Sequence, residues 1–281
     1  MDSNDVYVEV DFHVSPLDNG RDILLAVLSK QQFESFLETK NGICAYIKLV
    51  DWNRIDVKQS LSLMPSIFVV SYTINEIPIE NWNALWESSY HPIVVGDYTV
   101  RAPFHPPKMT PYELIIEPKM SFGTGHHQTT QLMMRQALEI DMGGKSVLDM
   151  GCGTGILGIL AANLGAKSVL AIDIESWCVE NTQENAVRNR CNHILKAQKG
   201  DFDIVSETYD LIFANINRNT LIRNIAHYAE RLKSQGILLI SGFYQTDLME
   251  ITQMCKSNGL TFQSNNNLDD WVCAKYVYSG L

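Results

Sequence analysis

The sequence predicts an α/β protein in which a doubly wound parallel sheet with a C-terminal antiparallel hairpin follows a small α+β domain. Three observations indicate this. From residue 119 onward, apolar strand segments alternate with helical segments. A glycine-rich turn separates the first of these strands from its helix. The first 80 residues also alternate between strands and helices, in a mixture that fits a small α+β layer. We therefore expect a domain over 1–80, a connecting segment over 81–118 and a second domain over 119–281.

The first domain contains five predicted elements. Residues 7–14 alternate between apolar and polar side chains, which is typical of a half-buried strand. Residues 21–39 place apolar side chains at helical spacing and predict a helix. The segment 42–50 reads as a strand, 52–63 as a short helix and 66–74 as another strand. This order favours a ferredoxin-like layer.

The connecting segment begins with a predicted helix over 81–92, in which Trp82 and Trp86 share one face. Such a pair usually packs against a domain. Residues 101–118 contain several prolines and cannot form a continuous helix.

The second domain repeats a strand–helix pattern. In parallel sheets of this kind, ligands bind at the carboxyl ends of the strands. Its final stretch, 260–279, predicts two strands joined by a polar turn. The predicted sheet strands are 146–150, 168–174, 209–216 and 236–243.

The composition is that of a globular protein, with 46% apolar and 19% charged residues among 281. No apolar run approaches the ~20 residues that span a bilayer, so we expect no membrane contact. The N-terminal residues lack the pattern of a signal peptide, which favours a cytoplasmic location. The six cysteines include no CxxC pair and no zinc spacing, so we expect reduced thiols and no metal.

The net charge of −10 is concentrated near the N-terminus. Residues 1–95 contain 13 acidic and 6 basic side chains, which gives −7. An acidic segment repels the phosphate backbone of nucleic acids and can steer a basic protein partner. A merely solubilising surface is the alternative. We take a monomer as the default state.

The glycine-rich turn at 151–155 follows a strand and precedes a helix, where Gly151, Gly153 and Gly155 allow a ligand to approach the backbone. The same stretch also fits the dinucleotide pattern GxGxxG. Asp149, however, ends the strand, where its carboxylate would repel a pyrophosphate. A carboxylate there suits the ammonium and sulfonium of S-adenosylmethionine, although a role in bracing the loop is the alternative.

Two further polar residues end neighbouring strands. Asp173 can accept hydrogen bonds from both ribose hydroxyls, in a nicotinamide cofactor as well as in S-adenosylmethionine. The C-terminal hairpin and the absence of a hydride-relay pattern favour a methyltransferase. Asn215 ends the strand of FANIN, and many enzymes of this class that methylate amines have Asn at this point. A turn or a helix cap is the alternative, and Asn217 could also be that cap.

A second glycine-rich stretch, SFGTGHHQTT, begins at residue 121. It lacks the lysine of a phosphate-binding Walker loop. Thr129 or Thr130 can cap the helix that follows. His126 and His127 could bind a metal, act as a base or simply belong to the loop.

PKMSFGTGHHQTT, VLDMGCGTGILGI, AIDI and FANI together closely resemble the bacterial ribosomal protein L11 methyltransferase family (PrmA), from about residue 80 to the end. The resemblance implies transfer of methyl groups from S-adenosylmethionine to lysine and N-terminal amines of that ribosomal protein. It implies cofactor contacts at Thr130, Gly151, Asp173 and Asn215, with Phe122 and its loop over the methionine end. We expect Asn215 to orient the amine and the acidic first domain to recognise the basic substrate.

Two positions depart from the family pattern. Glu175 stands where proline is frequent, and Asn217 stands where the family is usually apolar. An enzyme that methylates another protein lysine or an amine of RNA is the alternative, although RNA enzymes typically show an NPP strand end and a basic face. A non-catalytic cofactor-binding protein is the other alternative, against which the intact motifs argue.

Overall fold

The computed structural model describes residues 6–78, 82–107 and 112–280. The chain divides into two units, Met1–Ser89 and Tyr90–Leu281. Residues 90–118, which the sequence predicted to be connecting chain, are therefore part of the second unit.

The first unit is built on a four-stranded antiparallel sheet of order β2-β3-β1-β4. Alternate residues of β1, such as Val8, Val10 and Phe12, pack with Leu24 and Leu28 in one core, so the helices cover one face of the sheet. The succession of elements is that of a split β-α-β motif in which two short helices lie between the third and fourth strands. Its elements are β1 (Val6–Ser15), α1 (Gly20–Leu28), β2 (Ser35–Glu38), β3 (Gly42–Lys48), α2 (Leu49–Trp52), α3 (Val57–Leu61), β4 (Val69–Pro78) and α4 (Trp82–Ser89).

The helix predicted over 21–39 is wrong in its second half. Helix α1 ends at Leu28, and β2 pairs with the edge of β3. The helical spacing of apolar side chains arises because Phe33 enters the core from the loop and its ring meets Phe36 at 5.7 Å. Leu37 is 58% exposed, so it does not continue an apolar helix face.

The connecting segment is more structured than predicted. The side chain of Trp82 lies outside the described residues, and Trp86 is 45% exposed rather than buried. Beyond α4, a small sheet of order β5-β6-β7 packs its side chains into the main core of the second unit. Its strands are β5 (Ile93–Val95), β6 (Tyr98–Arg101) and β7 (Tyr112–Ile115).

The second unit contains a seven-stranded sheet of order β10-β9-β8-β11-β12-β14-β13. Strands β8 to β12 run parallel, and β13 and β14 form the predicted antiparallel hairpin against β12. The fold is thus the predicted doubly wound sheet with a terminal hairpin. Its elements are α5 (Gln128–Leu138), β8 (Ser146–Met150), α6 (Ile156–Asn163), β9 (Ser168–Asp173), α7 (Ser176–Arg188), β10 (Leu195–Lys199), β11 (Tyr209–Asn215), α8 (Arg218–Glu230), β12 (Leu232–Tyr244), α9 (Leu248–Ser257), β13 (Leu260–Leu268) and β14 (Trp271–Tyr278).

The central strands are apolar on both sides because helices cover both faces of the sheet. Successive residues Val147 and Leu148 of β8 belong to two separate cores, one on each face. Strand β10 was not predicted. It lies at the edge of the sheet and reads LKAQK, so it lacks the apolar run that marks the central strands.

The parallel strands bring the predicted site residues to one edge. Strands β8, β9 and β11 are neighbours, and their carboxyl ends lead into Gly151, Asp173 and Asn215. Within the described ranges, no helix combines the length and the apolarity needed to cross a membrane.

Candidate active site

The loop between β8 and α6 uses glycines because its backbone enters the left-handed region. Gly151, Gly153 and Gly155 have φ of 71°, 56° and 80°. A Cβ atom on Gly151 would lie 2.3 Å from a side-chain carbon of Ile216, and one on Gly153 would lie 2.2 Å from the carbonyl oxygen of Phe122. The loop therefore leaves no room for side chains and keeps its backbone open to a ligand.

Asp149 lies behind this loop and does not line the cavity in front of it. Its side chain is buried, and its Oδ2 accepts a hydrogen bond from the backbone N–H of Gly158 at 3.0 Å. Burial raises the pKa of this carboxyl to about 7. The geometry corresponds to the loop-bracing alternative rather than to direct contact with a cofactor.

Asp173 presents its carboxylate at the end of β9. One oxygen accepts from the backbone N–H of Gly153 at 2.9 Å and the other from that of Glu175 at 3.0 Å. A carboxylate has about four acceptor positions, so each oxygen keeps a lone pair that can meet a hydroxyl group. The residue therefore joins the two loops and still faces the cavity.

The first glycine-rich loop lies directly on the second. The carbonyl oxygen of Phe122 accepts from the backbone N–H of Thr154 at 2.9 Å, and the Thr154 hydroxyl donates to the carbonyl oxygen of Gly123. The Phe122 side chain lines the cavity and is 52% exposed. The loop thus forms a cover that is fixed through its backbone and carries an aromatic ring at the opening.

These loops enclose a cavity of about 560 Å³ at the carboxyl edge of the sheet. Five predicted site residues line it, namely Phe122, Gly151, Gly153, Asp173 and Asn215. Gly155, Thr130 and Asp149 lie outside the lining. Gly155 is the N-cap residue of α6, and a Cβ on it would lie 2.6 Å from a side-chain carbon of Thr182.

Thr130 acts on the cavity through Asn215. It is fully buried in the first turn of α5, and its hydroxyl accepts from the side-chain N–H of Asn215 at 3.5 Å. This contact directs the amide oxygen of Asn215 away from Thr130. Asn215 is not a helix cap, since Asn217 caps α8 by accepting from the backbone N–H of Thr220 at 3.0 Å.

The two histidines of the first loop have different surroundings. His126 meets the carbonyl oxygen of His91 at 2.8 Å, and its ring lies 4.4 Å from that of Tyr90, so it anchors the loop. His127 caps α5, a role that the sequence assigned to Thr129 or Thr130, because its Nδ1 accepts from the backbone N–H of Thr129 at 3.2 Å. Among the described residues, no group of three possible ligands could hold a metal ion.

Sequence reasoning missed residues that the terminal hairpin and β12 bring to the cavity. Trp271 opens β14 and lines the cavity, and Gly242 near the end of β12 lies beside Ile216. Both are more than 25 positions from Asn215 along the chain. The glycine in LLISGFY was a usable signal, because a glycine inside a strand often marks close approach of another backbone.

A family model described as Ribosomal protein L11 methyltransferase (PrmA) matches residues 19–278. The chain belongs to this family. The predicted resemblance is thereby confirmed, and the match extends through most of the first unit. The protein is an S-adenosylmethionine-dependent protein methyltransferase.

Relatives of this methyltransferase match along nearly their whole length. A ribosomal protein L11 methyltransferase of Porphyromonas gingivalis is 43% identical over 267 residues, which are 93% of this chain and 92% of the relative. One of Phocaeicola vulgatus is 39% identical over 279 residues, 96% of this chain and 99% of the relative. The crystal structure of a ribosomal protein L11 methylase from Lactobacillus delbrueckii subsp. bulgaricus has a TM-score of 0.62 and 29% identity, and covers 68% of this chain and all of that chain.

The backbone and carboxylate groups that line the cavity of this methyltransferase fit S-adenosylmethionine. Gly151 and Gly153 provide backbone that a cofactor can approach, and Asp173 offers a carboxylate to ribose hydroxyls. No lysine is among the described residues that line the cavity, so it lacks the lysine of a Walker-type phosphate loop.

Proposed function

We propose that this methyltransferase transfers methyl groups from S-adenosylmethionine to lysine side-chain and N-terminal amines of ribosomal protein L11. The observation that carries the proposal is the position of Asn215 in the cavity that Gly151, Gly153 and Asp173 also line. Support for the substrate comes from the names of its relatives, which match over almost their full length.

We assign the cofactor to the end of the cavity beneath β8 and β9. Gly151 and Gly153 offer backbone there, and the Asp173 carboxylate accepts from the ribose. Asp149 and Gly155 hold the loop in shape from behind, and Thr130 acts through Asn215. The bound cofactor supplies a methyl group on a positively charged sulfur.

The residues of the chain must deliver an uncharged amine to this methyl group. Deprotonating a free lysine near pH 7 costs about 4–5 kcal/mol. A dry pocket beside a positive charge lowers the pKa of the amine, so a strong base is not required. Asn215 accepts an N–H of the amine and orients its lone pair, while the loop around Phe122 excludes water.

The domain predicted over residues 1–80, which lies within the first unit, recognises the substrate protein. Glu9 and Asp11 lie on the face of β1 opposite the helix-covered core, and Tyr46 donates to Glu9 at 2.8 Å. Residues 1–95 carry a net charge of −7, which suits a basic ribosomal protein and disfavours direct nucleic-acid binding. The enzyme acts as a cytoplasmic monomer.

The decisive experiment is incubation of the enzyme with isotope-labelled S-adenosylmethionine and purified, unmethylated L11, beside total ribosomal RNA and a second basic ribosomal protein. Mass spectrometry should find label on lysine and N-terminal amines of L11. Label on the second protein or on RNA, with none on L11, would favour the alternative that the acceptor is another protein lysine or an RNA amine.

A further inference from the structure

Three aromatic rings from two segments of the chain contact one another in a row in the cavity that Asn215 also lines. Phe122 comes from the covering loop, His127 from the start of α5 and Trp271 from the terminal hairpin. The ring centroids of Phe122 and His127 are 5.2 Å apart, and those of His127 and Trp271 are 5.0 Å apart, both in edge-to-face contact. All three side chains line the cavity. We call this set the aromatic wall.

The wall is held in place from behind. The ring of Tyr244 lies 4.2 Å from that of Trp271, across the β12–β14 pair. Nδ1 of His127 accepts from the backbone N–H of Thr129, so its orientation is fixed by the helix that it caps. Burial lowers the pKa of His127, so near pH 7 its ring is neutral and does not repel a cation.

Charge is distributed unequally within the cavity. The carboxylates in its lining, those of Asp173, Glu175 and Asp201, come from the ends of β9 and β10. Toward β11 and β14 the lining instead includes the Asn215 amide and the Trp271 ring. The one arginine or lysine among the described lining residues is Arg223 of α8, whose guanidinium donates to the Thr220 hydroxyl at 3.3 Å. Aromatic faces attract alkylated ammonium groups, and they do so more effectively where water is excluded.

This arrangement meets a chemical need that changes as an amine gains methyl groups. In each transfer an N–C bond forms as an S–C bond breaks, sulfur keeps the electron pair, and the positive charge moves to nitrogen. A primary or secondary amine has an N–H for Asn215 and releases a proton to solvent afterwards. A neutral tertiary amine has no N–H, so it gains nothing from that acceptor.

We propose that the aromatic wall of Phe122, His127 and Trp271 binds the alkylated nitrogen and carries the transfers to amines that already bear methyl groups, whereas Asn215 serves mainly the first transfer. The inference rests on the proposed amine specificity and adds the residues that determine how far methylation proceeds.

The test uses the full-length enzyme and a short synthetic peptide with one lysine whose Nζ carries zero, one, two or three methyl groups. Binding is measured by calorimetry with S-adenosylhomocysteine present, so that no reaction occurs. Wild-type enzyme should bind the trimethylated peptide about tenfold more tightly than the unmodified one. Trp271→Leu and Phe122→Leu should remove most of that preference.

The second measurement is kcat/KM for each peptide with S-adenosylmethionine as the methyl donor. The wall variants should lose about tenfold more kcat/KM on the dimethylated than on the unmodified peptide. Asn215→Ala should show the reverse order. Trp177→Leu is the matched control, because Trp177 is 52% exposed on α7 and does not line the cavity. It should leave the series unchanged.

Two results would contradict the proposed role of the aromatic wall. One is equal affinity of the wild type for the trimethylated and unmodified peptides. The other is an equal loss of kcat/KM across the peptide series in Phe122→Leu. Phe122 is half exposed, which argues against a folding defect as the source of that loss. Failure of the wild type to methylate L11 would instead refute the proposed function. The binding measurements on the four peptides would still show whether the aromatic wall prefers an alkylated nitrogen.

Discussion

The two ends of the cavity differ in the atoms that form their surface. Below β8 and β9 the surface is backbone, held in left-handed turns by glycine and joined by the Asp173 carboxylate. Toward β11, β12 and β14 the surface is side chains, which include Asn215 and Trp271, with Phe122 contributed by the covering loop. The first arrangement suits a ligand that every turnover presents in the same form. The second suits an acceptor whose shape and charge change.

Because of this difference, we expect the cofactor end of the cavity to tolerate substitutions less well than the acceptor end. Where backbone packs against backbone, an added atom must displace the main chain. A side chain can be replaced by a smaller one without displacing the main chain. Substitutions at the glycine loop should therefore act on cofactor affinity, and those at the acceptor end on turnover.

The largest effect is expected for Gly153→Ala. The new Cβ would lie 2.2 Å from the Phe122 carbonyl oxygen, so the two loops must separate. We expect cofactor affinity to fall by about 1000-fold, beyond detection by calorimetry. Gly144→Ala is the matched control, because Gly144 also has a positive φ of 70° but nothing within 4 Å of its Cβ. Equal loss in both variants would mean that backbone strain, not the loop contact, is responsible.

Asp149 tests whether the cofactor end is braced from behind. Its pKa is raised from 3.8 to about 7, so the folded protein binds a proton more tightly than the unfolded chain. Stability from this group is present below pH ~4 and is lost as pH rises through ~7, by about 4 kcal/mol. Denaturant unfolding of the wild type and Asp149→Asn at pH 4.5 and 7.5 should show the larger decline in the wild type. Parallel declines would contradict the assigned burial of the charge.

Asp173→Asn should weaken cofactor binding by about 30-fold, since one carboxylate oxygen becomes a donor that faces the backbone N–H of Gly153 or Glu175. Turnover at saturating cofactor should change little. Glu180→Gln, on the exposed side of α7, is the control. A drop in turnover without a change in affinity would place Asp173 at the acceptor end instead.

The smallest effect concerns the substrate protein. If the acidic first unit attracts basic L11, raising the salt from about 0.05 to 0.5 M should increase the KM for L11 about tenfold. The KM for a single-lysine peptide, which has little charge to steer, should hardly change. If the KM values for L11 and for the peptide changed equally with salt, electrostatic attraction by the first unit would be contradicted.

The cofactor end could be predicted from sequence because its geometry is local. Gly151 and Gly153 follow one strand that the apolar pattern reveals, and Asp173 ends another. The carboxyl ends of neighbouring parallel strands lie at one edge of the sheet. Asp149 shows the limit of this reasoning, because a carboxylate at a strand end does not disclose on which side of the loop it points. Burial and the Gly158 hydrogen bond decide that.

The acceptor end depends on pairing between distant strands, which composition does not encode. Trp271 reaches the cavity because β14 inserts next to β12 rather than at the edge of the sheet. The same holds for β2, where pairing with β3 overrides helical spacing. His127 was left open because its role as a helix cap depends on the loop conformation before α5.

The most direct test of the division between the two ends is Asn215→Ala, with its cofactor affinity and its turnover on L11 measured in one preparation. Asn219→Ala, exposed on α8, is the control. We predict an unchanged cofactor dissociation constant and a kcat that falls about 100-fold, because the amine loses its orienting acceptor. Wild-type turnover with unchanged affinity would contradict the account, as would a loss of cofactor binding equal to the loss of turnover.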